Sequence, residues 1–282
     1  MMHRLGSERI HHTSTSAKLG VNLRSEYLWN SKIVGLDHAD YILLIGTNLR
    51  SEAPILNSRI MRQVENKGIQ VDVLGVPSDL NYIYDHIGTS PSTLDQLLSG
   101  THPSSEKLKK AKFPMIIVSS KAVSRSDGEA LMNTVKKLAQ TYNVVNTETK
   151  WNGLNVLHNH ASTVTACDIG IPQFHKGQLK DAKVVYILGH DDFREDDIPE
   201  DAKVIYQGCV GDEGVYYADL ILPGAGYTEK QGLFVNMEGR VQRGRSAITH
   251  PGQSREDWQI LRALSEEFGS PLPYDNLMQV RD

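Results

Sequence analysis

Short apolar runs rich in β-branched residues alternate along the chain with stretches of helical period. Residues 39–46 (ADYILLIG) predict a buried strand, residues 54–66 predict a helix, and residues 69–74 predict a second strand. The helix is expected to turn four apolar residues inward: Ile55, Ile60, Met61 and Val64. A strand, a helix and a strand in this order form a β-α-β unit with parallel strands and a right-handed crossover.

The same alternation recurs further along the chain. Residues 114–119 (PMIIVS) predict a third strand, and residues 126–141 predict the helix after it, with Ser126 or Asp127 as the capping residue. A short helix is expected at residues 93–98, inside a connection that contains several glycines and prolines. The first half of the chain is therefore predicted to build one parallel sheet flanked by helices.

A second set of elements follows a break at residues 170–172 (GIP). A helix is predicted over residues 152–167, before the break, and another over residues 255–268, near the end of the chain. Between them lie three predicted strands: 183–188, 203–206 and 219–222. Four apolar residues of the last helix fall on one face: Trp258, Leu261, Leu264 and Phe268.

These patterns predict an α/β protein with two Rossmann-like αβα lobes and mainly parallel sheets. The first lobe is expected at residues 36–170 and the second at residues 171–270. Residues 1–35 are expected to pack on the second lobe, and residues 271–282 to form a C-terminal tail. Residues 1–20 are somewhat basic, with Glu8 their only acid, which fits either a mitochondrial presequence or a plain N-terminal segment.

Composition narrows the possible partners. The chain has 282 residues, 39% of them hydrophobic and 23% charged, as is typical of globular proteins. Its formal net charge of -4 lacks the basic excess with which proteins collect phosphates, so no nucleic-acid partner is expected. The apolar runs are far shorter than the roughly 20 residues of a membrane-spanning helix, so no direct span is expected.

Few side chains are spaced for metal or redox chemistry. Cys167 and Cys209 are the two cysteines, too far apart to suggest a zinc site. Cys209 lies in a glycine-flanked turn and is the better candidate for a reactive thiol, whereas Cys167 is expected in the core. Two histidine pairs, His11 with His12 and His158 with His160, have spacings that do not favour binding of one metal ion by both members. The acidic run at residues 191–197 does not match the spacing of a calcium-binding loop.

Two glycine turns follow strands at the position where nucleotide-binding folds hold phosphate. They are Gly46, and the pair Gly224 and Gly226. Neither turn has the three-glycine fingerprint of a dinucleotide-binding site. Near the first turn, the charge of Glu52 would repel a phosphate, and Pro54 has no backbone N–H to donate to it. Both turns are therefore interpreted as structural. Signatures of phosphate-loop, nucleophile-elbow and zinc-protease chemistry are absent from the sequence.

The segment 218–258 is explained least by local propensity. It contains a long loop whose polar side chains are suited to hydrogen-bond the backbone or a neighbouring chain. We interpret it as an interface or internal anchor, with a solvated loop as the alternative. The candidate residues are Glu229, Asn236, Glu238, Arg240, Gln242, Arg243 and Arg245.

At this segment the sequence resembles the large iron-sulfur subunit of respiratory complex I, NADH-quinone oxidoreductase, in its C-terminal, molybdopterin-oxidoreductase-like part. The residues that carry the resemblance are ADYILLIGTNLRSEAPILNSRI at 39–60, YDHIG at 84–88, SGTHP at 99–103, ADLILPGAGYTEKQGLFVNMEGRVQ at 218–242 and REDWQILRALSE at 255–266. Relatives commonly have His-His where this chain has Cys209-Val210. Family members continue upstream, so we expect a divided subunit or a separately encoded C-terminal piece.

The resemblance implies a molybdopterin-oxidoreductase fold that carries no catalytic residues and binds no cofactor itself. Iron-sulfur clusters are expected on a partner chain that holds the N-terminal region of the subunit, because two cysteines cannot supply a four-thiolate cluster. Other peripheral-arm subunits are the expected partners. The expected location is the matrix side of the mitochondrial inner membrane, or the cytoplasmic face of a bacterial membrane. A fragment of a molybdopterin-dependent oxidoreductase and a free nucleotide-binding module are the alternatives.

Overall fold

The computed structural model describes residues 1–13, 17–175, 177–190, 197–211 and 213–281. The chain forms two compact units. The first lobe comprises Ser14–Gly170 and Val235–Arg240, and the second lobe comprises Met1–Thr13, Ile171–Phe234 and Val241–Asp282.

The first lobe alternates strands and helices along the chain. Its strands are β1 (Tyr41–Ile45), β2 (Gln70–Leu74), β3 (Asp85–Gly88), β4 (Pro114–Ser119), β5 (Val145–Asn146), β6 (Trp151–Asn152) and β7 (Leu154–Leu157). Its helices are α1 (Leu49–Glu52), α2 (Pro54–Lys67), α3 (Ser92–Leu98), α4 (Ser104–Lys110), α5 (Gly128–Thr141) and α6 (Thr163–Asp168).

Five of these strands form a parallel sheet in the order β3-β2-β1-β4-β7. Every residue of β1 and β4 is buried, which explains why both strands are continuous apolar runs. Alternate residues of β1 face opposite sides of the sheet. Leu43 packs in a core cluster with α3 and α5, and Ile42 in one with α2 and Trp29. The sheet is therefore covered on both faces.

A buried charge lies within the first lobe. The side chain of Asp72 in β2 is fully buried, and its carboxylate accepts hydrogen bonds from the Tyr41 hydroxyl at 2.8 Å and from Lys107 Nζ at 2.8 Å. Lys107 also donates to Asp85 at 2.6 Å. Burial and the Asp72 carboxylate together raise the pKa of Tyr41. A buried carboxylate is stable only when it is paired in this way.

The helix after β1 differs from its prediction at one position. Ile55 was expected to face the core, but it is 74% exposed, because the buried stripe of α2 runs through Leu56, Asn57 and Ile60. The Asn57 amide fixes that orientation by donating to the Leu80 carbonyl at 2.8 Å. The expected cap of α5 also differs, since Asp127 pairs with Arg125 rather than with the helix amides.

The prediction of a helix over residues 152–167 is wrong. Residues 154–157 form β7, which is fully buried and pairs with β4, and only Thr163–Asp168 is helical. The strand was not predicted because it is only four residues long and because Asn155 interrupts its apolar run. Asn155 is itself fully buried, and its amide oxygen accepts from the Ser31 backbone N–H at 3.0 Å.

The expectation that residues 1–35 pack as one segment on the second lobe is corrected by the structure. Residues 1–13 belong to the second lobe, but residues 17–35 belong to the first. The physical reason is Trp29, whose side chain is completely buried in a core cluster of the first lobe. A buried tryptophan of this size fixes the surrounding segment.

The second lobe is built around a smaller parallel sheet. Its strands are β8 (Val184–Leu188), β9 (Lys203–Gly208) and β10 (Leu220–Pro223) in the order β10-β9-β8, and β11 (Gly232–Val235) and β12 (Val241–Gly244) form a separate pair. Its helices are α7 (Glu213–Tyr216), α8 (Asp257–Glu267) and α9 (Leu277–Arg281). The predicted α/β class, with a mainly parallel sheet in each lobe, is confirmed.

Candidate functional site

The first lobe has a crevice where open α/β sheets bind ligands. From β1 the chain crosses to β2 on one side, and from β4 it crosses to β7 on the other, so the strand order reverses between β1 and β4. Ligands of such folds bind at the carboxyl ends of the strands at this switch point. We call the polar residues there the switch-point cluster: Thr47, Glu52, Ser119, Ser120 and Asn159.

The carboxylate of Glu52 accepts hydrogen bonds from two side-chain hydroxyls and one backbone N–H at this point. Its Oε2 atom accepts hydrogen bonds from the Thr47 hydroxyl at 3.1 Å and the Ser119 hydroxyl at 3.2 Å. Its Oε1 atom accepts from the Asn48 backbone N–H at 3.4 Å. Hydroxyls and a free amide of this kind also bind phosphate at helix N-termini. In this chain the Glu52 carboxylate is the anion that these donors bind.

A second acceptor completes the cluster. The side-chain oxygen of Asn159 accepts from the Ser120 hydroxyl at 3.2 Å and is 3.4 Å from the Ser119 hydroxyl oxygen. Ser119 and Ser120 are almost completely buried. Since buried hydroxyls without partners are costly, these contacts stabilise the edge of the sheet.

The Gly46 turn beside the cluster is fixed by packing. Gly46 has a φ angle of 61°, and a Cβ atom at this position would lie 2.5 Å from the Cβ of Ala122. Glycine is therefore required at this position, both by the backbone conformation and by the close packing against Ala122.

A second site is the turn at residues 236–240, which we call the anchor turn and which belongs to the first lobe. The Glu238 carboxylate accepts a hydrogen bond from the Ile33 backbone N–H at 2.9 Å, and the Met237 carbonyl accepts one from the Trp29 backbone N–H at 2.8 Å. Burial alone would raise the pKa of Glu238. The donors at Ile33 and Asn236, with the charge of Arg240, outweigh it, and the pKa is lowered.

Arg24 joins the anchor turn to the end of α6. Its guanidinium donates two hydrogen bonds to Asp168, at 2.8 and 2.7 Å, and one to the Gly239 carbonyl at 3.1 Å. The Tyr27 hydroxyl donates to the same carboxylate at 2.9 Å. The hydrogen bonds from Arg24 lower the pKa of Asp168, against the effect of its burial. Burial, followed by the bond to Asp168, raises the pKa of Tyr27 to about 12.

The structure brings together three of the seven anchor candidates. Asn236 accepts from the Arg240 backbone N–H at 2.9 Å and donates to Glu238 at 3.3 Å, and Arg240 lies 3.4 Å from Glu238 as an ion pair.

The other four candidates belong to the second lobe. Glu229 accepts from the Gly226 backbone N–H at 2.9 Å, and Arg243 donates to the Gln231 side chain at 3.1 Å. Gln242 and Arg245 are exposed. Sequence reasoning missed Arg24 and Asp168, since no local pattern joins residues 144 positions apart.

The remaining candidates for metal or redox chemistry are dispersed. Burial raises the pKa of the half-buried Cys167, whereas Cys209 is exposed. Burial lowers the pKa of His158, whose Nε2 lies 2.5 Å from the Tyr27 carbonyl oxygen, and it also lowers the pKa of His11 and His12. Within the described ranges, no three His, Cys, Asp or Glu residues are grouped to hold a metal ion.

Two further expectations concern the acidic run and membrane spans. Residues 191–196 of the acidic run lie outside the described residues. Among the helices that the structure describes, none has the length and apolar character needed to cross a bilayer.

Comparison with known proteins defines the class. The family model described as molybdopterin oxidoreductase matches residues 1–267, so the chain belongs to the molybdopterin oxidoreductase family. Within that family it is similar to the mitochondrial NADH-ubiquinone oxidoreductase 78 kDa subunit of Neurospora crassa, with 45% identity over 289 residues. That match covers 100% of this chain and 38% of the relative.

Two other relatives have related names. The mitochondrial NADH dehydrogenase [ubiquinone] iron-sulfur protein 1 of Solanum tuberosum is 42% identical, over 100% of this chain and 38% of the relative. The NADH-ubiquinone oxidoreductase 75 kDa subunit of Reclinomonas americana is 38% identical, over 99% of this chain and 43% of the relative. The chain thus spans about two fifths of the relatives' length, and the resemblance to this subunit of complex I is confirmed.

A solved structure in the comparison is acetylene hydratase from Pelobacter acetylenicus. The TM-score is 0.46 and the identity is 11%, and the match covers 82% of this chain and 47% of that one.

The family name raises the question of a phosphate-bearing pterin cofactor. At the switch-point cluster such a group would need the donors that Glu52 already holds, and it would face the charge of the Glu52 carboxylate. Helix α2 begins with Pro54, which has no backbone N–H to offer. The residues of this crevice therefore do not fit an anionic group.

Proposed function

We propose that this chain is a structural part of the large iron-sulfur subunit of an NADH-ubiquinone oxidoreductase, complex I. It belongs in this proposal to the peripheral, NADH-oxidising arm, on the matrix side of the mitochondrial inner membrane. The observation that carries the proposal is similarity over the whole chain, at 38–45% identity, to subunits that bear this name. The partners are other subunits of the arm, above all the polypeptide with the iron-sulfur ligands.

The chain supports electron transfer in this proposal without holding electrons. Two cysteines are too few for an iron-sulfur cluster with four thiolate ligands, so in this proposal the clusters are held by residues outside these 282. The self-satisfied switch-point cluster supports the same view, because Glu52 holds the donors that an anionic cofactor would use there. The contribution of the chain is to hold a rigid surface against the cluster-bearing part.

The anchor turn supplies part of that rigidity. Glu238 and Met237 bind backbone amides of the segment around Trp29, and Arg24 binds both Gly239 and Asp168. Hydrogen bonds that involve a charged group are about twice as strong as neutral ones. The turn therefore fixes the N-terminal segment of the first lobe from a position more than 200 residues away in sequence.

Native purification tests the assignment to complex I. An affinity tag on this chain is expected to recover the peripheral-arm subunits, identified by mass spectrometry, together with NADH-ubiquinone reductase activity. Recovery of the chain alone from mildly solubilised mitochondria would contradict the proposal. An equally tagged mitochondrial matrix protein is the control for nonspecific recovery.

Metal analysis and calorimetry test the cofactor part of the proposal. The recombinant chain is expected to contain iron and molybdenum far below one atom per chain, and to give no heat of binding with nucleotides. Stoichiometric molybdenum would favour a fragment of a molybdopterin-dependent oxidoreductase. A saturable heat of binding would favour a nucleotide-binding module.

A further inference from the structure

The parallel sheet of the second lobe is packed on one face. Val185 and Ile187 of β8 and Val204 and Tyr206 of β9 are buried on that face. Five partly buried residues pack against them: Leu179, Ala182, Ile198, Val215 and Ala218. Parallel sheets are normally covered on both faces, because each strand is apolar on both sides.

The opposite face carries partly exposed apolar side chains between Lys203 at one end of β9 and the buried Gln207 at the other. The register pairs Tyr186 of β8 with Ile205 of β9, and Ile205 with Leu220 of β10, so these side chains lie on the same side of the sheet. Val184 and Leu188 share that side, because they lie two residues before and after Tyr186. We call these five residues the open face. Val184 is 60% exposed, Leu188 is 47% exposed and Leu220 is 46% exposed.

Polar residues close one end of this face. The buried Gln207 at the end of β9 accepts a hydrogen bond from the Tyr186 hydroxyl and donates one to Asp257 at 2.8 Å. Asp257 in turn pairs with Lys230. This network covers the carboxyl end of the central strand and leaves the apolar residues of both edge strands open. The open face is thus a bounded apolar surface.

We infer that the open face is the docking surface for an amphipathic helix contributed by the part of the same subunit that lies outside this chain. The inference rests on the proposed function. The chain covers 38% of the Neurospora crassa relative, which leaves about three fifths of that subunit to supply the helix. A helix layer is the usual cover of a parallel sheet, and its aliphatic residues match the aliphatic residues of the open face.

Thiol labelling tests this docking surface in the intact complex. Cysteine is introduced as Val184→Cys or Leu220→Cys in a Cys209→Ser background, and alkylation of each position is followed by mass spectrometry of the peptides. Both thiols are expected to react at least about tenfold more slowly in the assembled complex than in the isolated chain, because burial excludes the reagent. Val21→Cys is the matched control, since Val21 is also 60% exposed but lies in the first lobe.

A charge substitution gives a second measurement. Val184→Asp is expected to reduce incorporation into complex I by roughly tenfold in competition with the unchanged chain, because a buried carboxylate opposes docking. Val21→Asp is expected to reduce incorporation less. Thermal unfolding of the isolated variants shows whether both remain folded.

The outcomes separate the two proposals. If the unchanged chain does not enter complex I, the proposed function fails, and this inference fails with it. If the chain enters but the Val184 and Leu220 positions react as fast as in isolation, the inference alone is overturned. Protection of both positions in an isolated chain that sediments as a dimer would also overturn it, since a second copy would then cover the open face.

Discussion

The hydroxyl of Ser119 donates a hydrogen bond to the carboxylate of Glu52 at 3.2 Å, which connects the end of β4 to the helical turn after β1. This contact crosses the point where the strand order of the sheet reverses. The same carboxylate binds the Thr47 hydroxyl, so one acidic side chain satisfies buried donors from two strand ends. The position that holds a ligand in many α/β proteins is here part of the protein's own hydrogen-bond network.

Glu52→Ala is expected to destabilise the first lobe. The substitution leaves the Thr47 hydroxyl without its acceptor and the Ser119 hydroxyl with only its longer contact to Asn159, and an unsatisfied buried group costs about 1–3 kcal/mol. Urea unfolding measures the change in the free energy of unfolding. Glu65→Ala, at an exposed position of α2, is the control and is expected to change it by less than about 0.5 kcal/mol. Equal effects of the two substitutions would contradict the role assigned to Glu52.

Lys107→Met is expected to be strongly destabilising. It leaves the fully buried Asp72 carboxylate without its cation, and breaking a buried ion pair on one side costs about 3–5 kcal/mol. Because Lys107 is 24% exposed, the lower end of that range is expected. Lys109→Met on the same helix is exposed and serves as the control. If both variants unfold at the same urea concentration, Asp72 does not depend on Lys107.

Gly46→Ala tests the packing of the turn after β1. It introduces a Cβ atom 2.5 Å from the Cβ of Ala122 and an unfavourable φ angle, with an expected cost of about 2–4 kcal/mol. Gly68→Ala has a similar φ angle of 65° but open space around the new atom, so it is expected to cost about 1 kcal/mol. Adding Ala122→Gly is expected to recover part of the loss for Gly46→Ala only, as measured by thermal unfolding.

The Arg24–Asp168 pair predicts a stability change at acidic pH. The pKa of Asp168 is lowered in the folded chain, so its contribution is fully present above the unfolded value of about 3.9 and is lost as the pH falls through the folded value. Asp168→Asn removes this contribution. The unchanged chain is therefore expected to lose more stability than the variant below about pH 4. Parallel curves of unfolding free energy against pH would contradict this.

The size of this acid effect is expected to be modest. The Arg24 side chain is 50% exposed, so water and salt screen the pair, and a contribution of about 1 kcal/mol or less is expected. Raising the salt concentration is expected to reduce the difference between the two curves.

The central strands could be predicted from the sequence because their complete burial is visible locally, as continuous apolar runs. β1 and β4 are continuous apolar runs that fill the middle of a covered sheet, and the structure places them within one or two residues of the prediction. β7 was missed because it is four residues long and contains the buried Asn155. Ile55 was placed inward because it is apolar, although it lies one position off the buried stripe through Leu56 and Ile60.

The candidate site was only partly predictable. Glu238, Asn236 and Arg240 were selected because they are charged or polar residues in a long loop. Arg24 was not selected, because its partner Asp168 is 144 residues away. Glu52 was recognised as unfavourable for phosphate, but the sequence did not reveal that its carboxylate binds Ser119 of a different strand end. Contacts of this kind depend on the tertiary fold.

The anchor turn also has a consequence for biosynthesis. The backbone N–H of Ile33 bonds to a carboxylate 205 positions later, and Arg24 reaches a carbonyl 215 positions later. A ribosome that has already translated the whole sheet of the first lobe has not yet made residues 236–240. The first lobe therefore receives its last hydrogen bonds only after much of the second lobe has been synthesised, and a nascent chain stalled at residue 170 leaves the Trp29 and Ile33 amides open to water or to a chaperone.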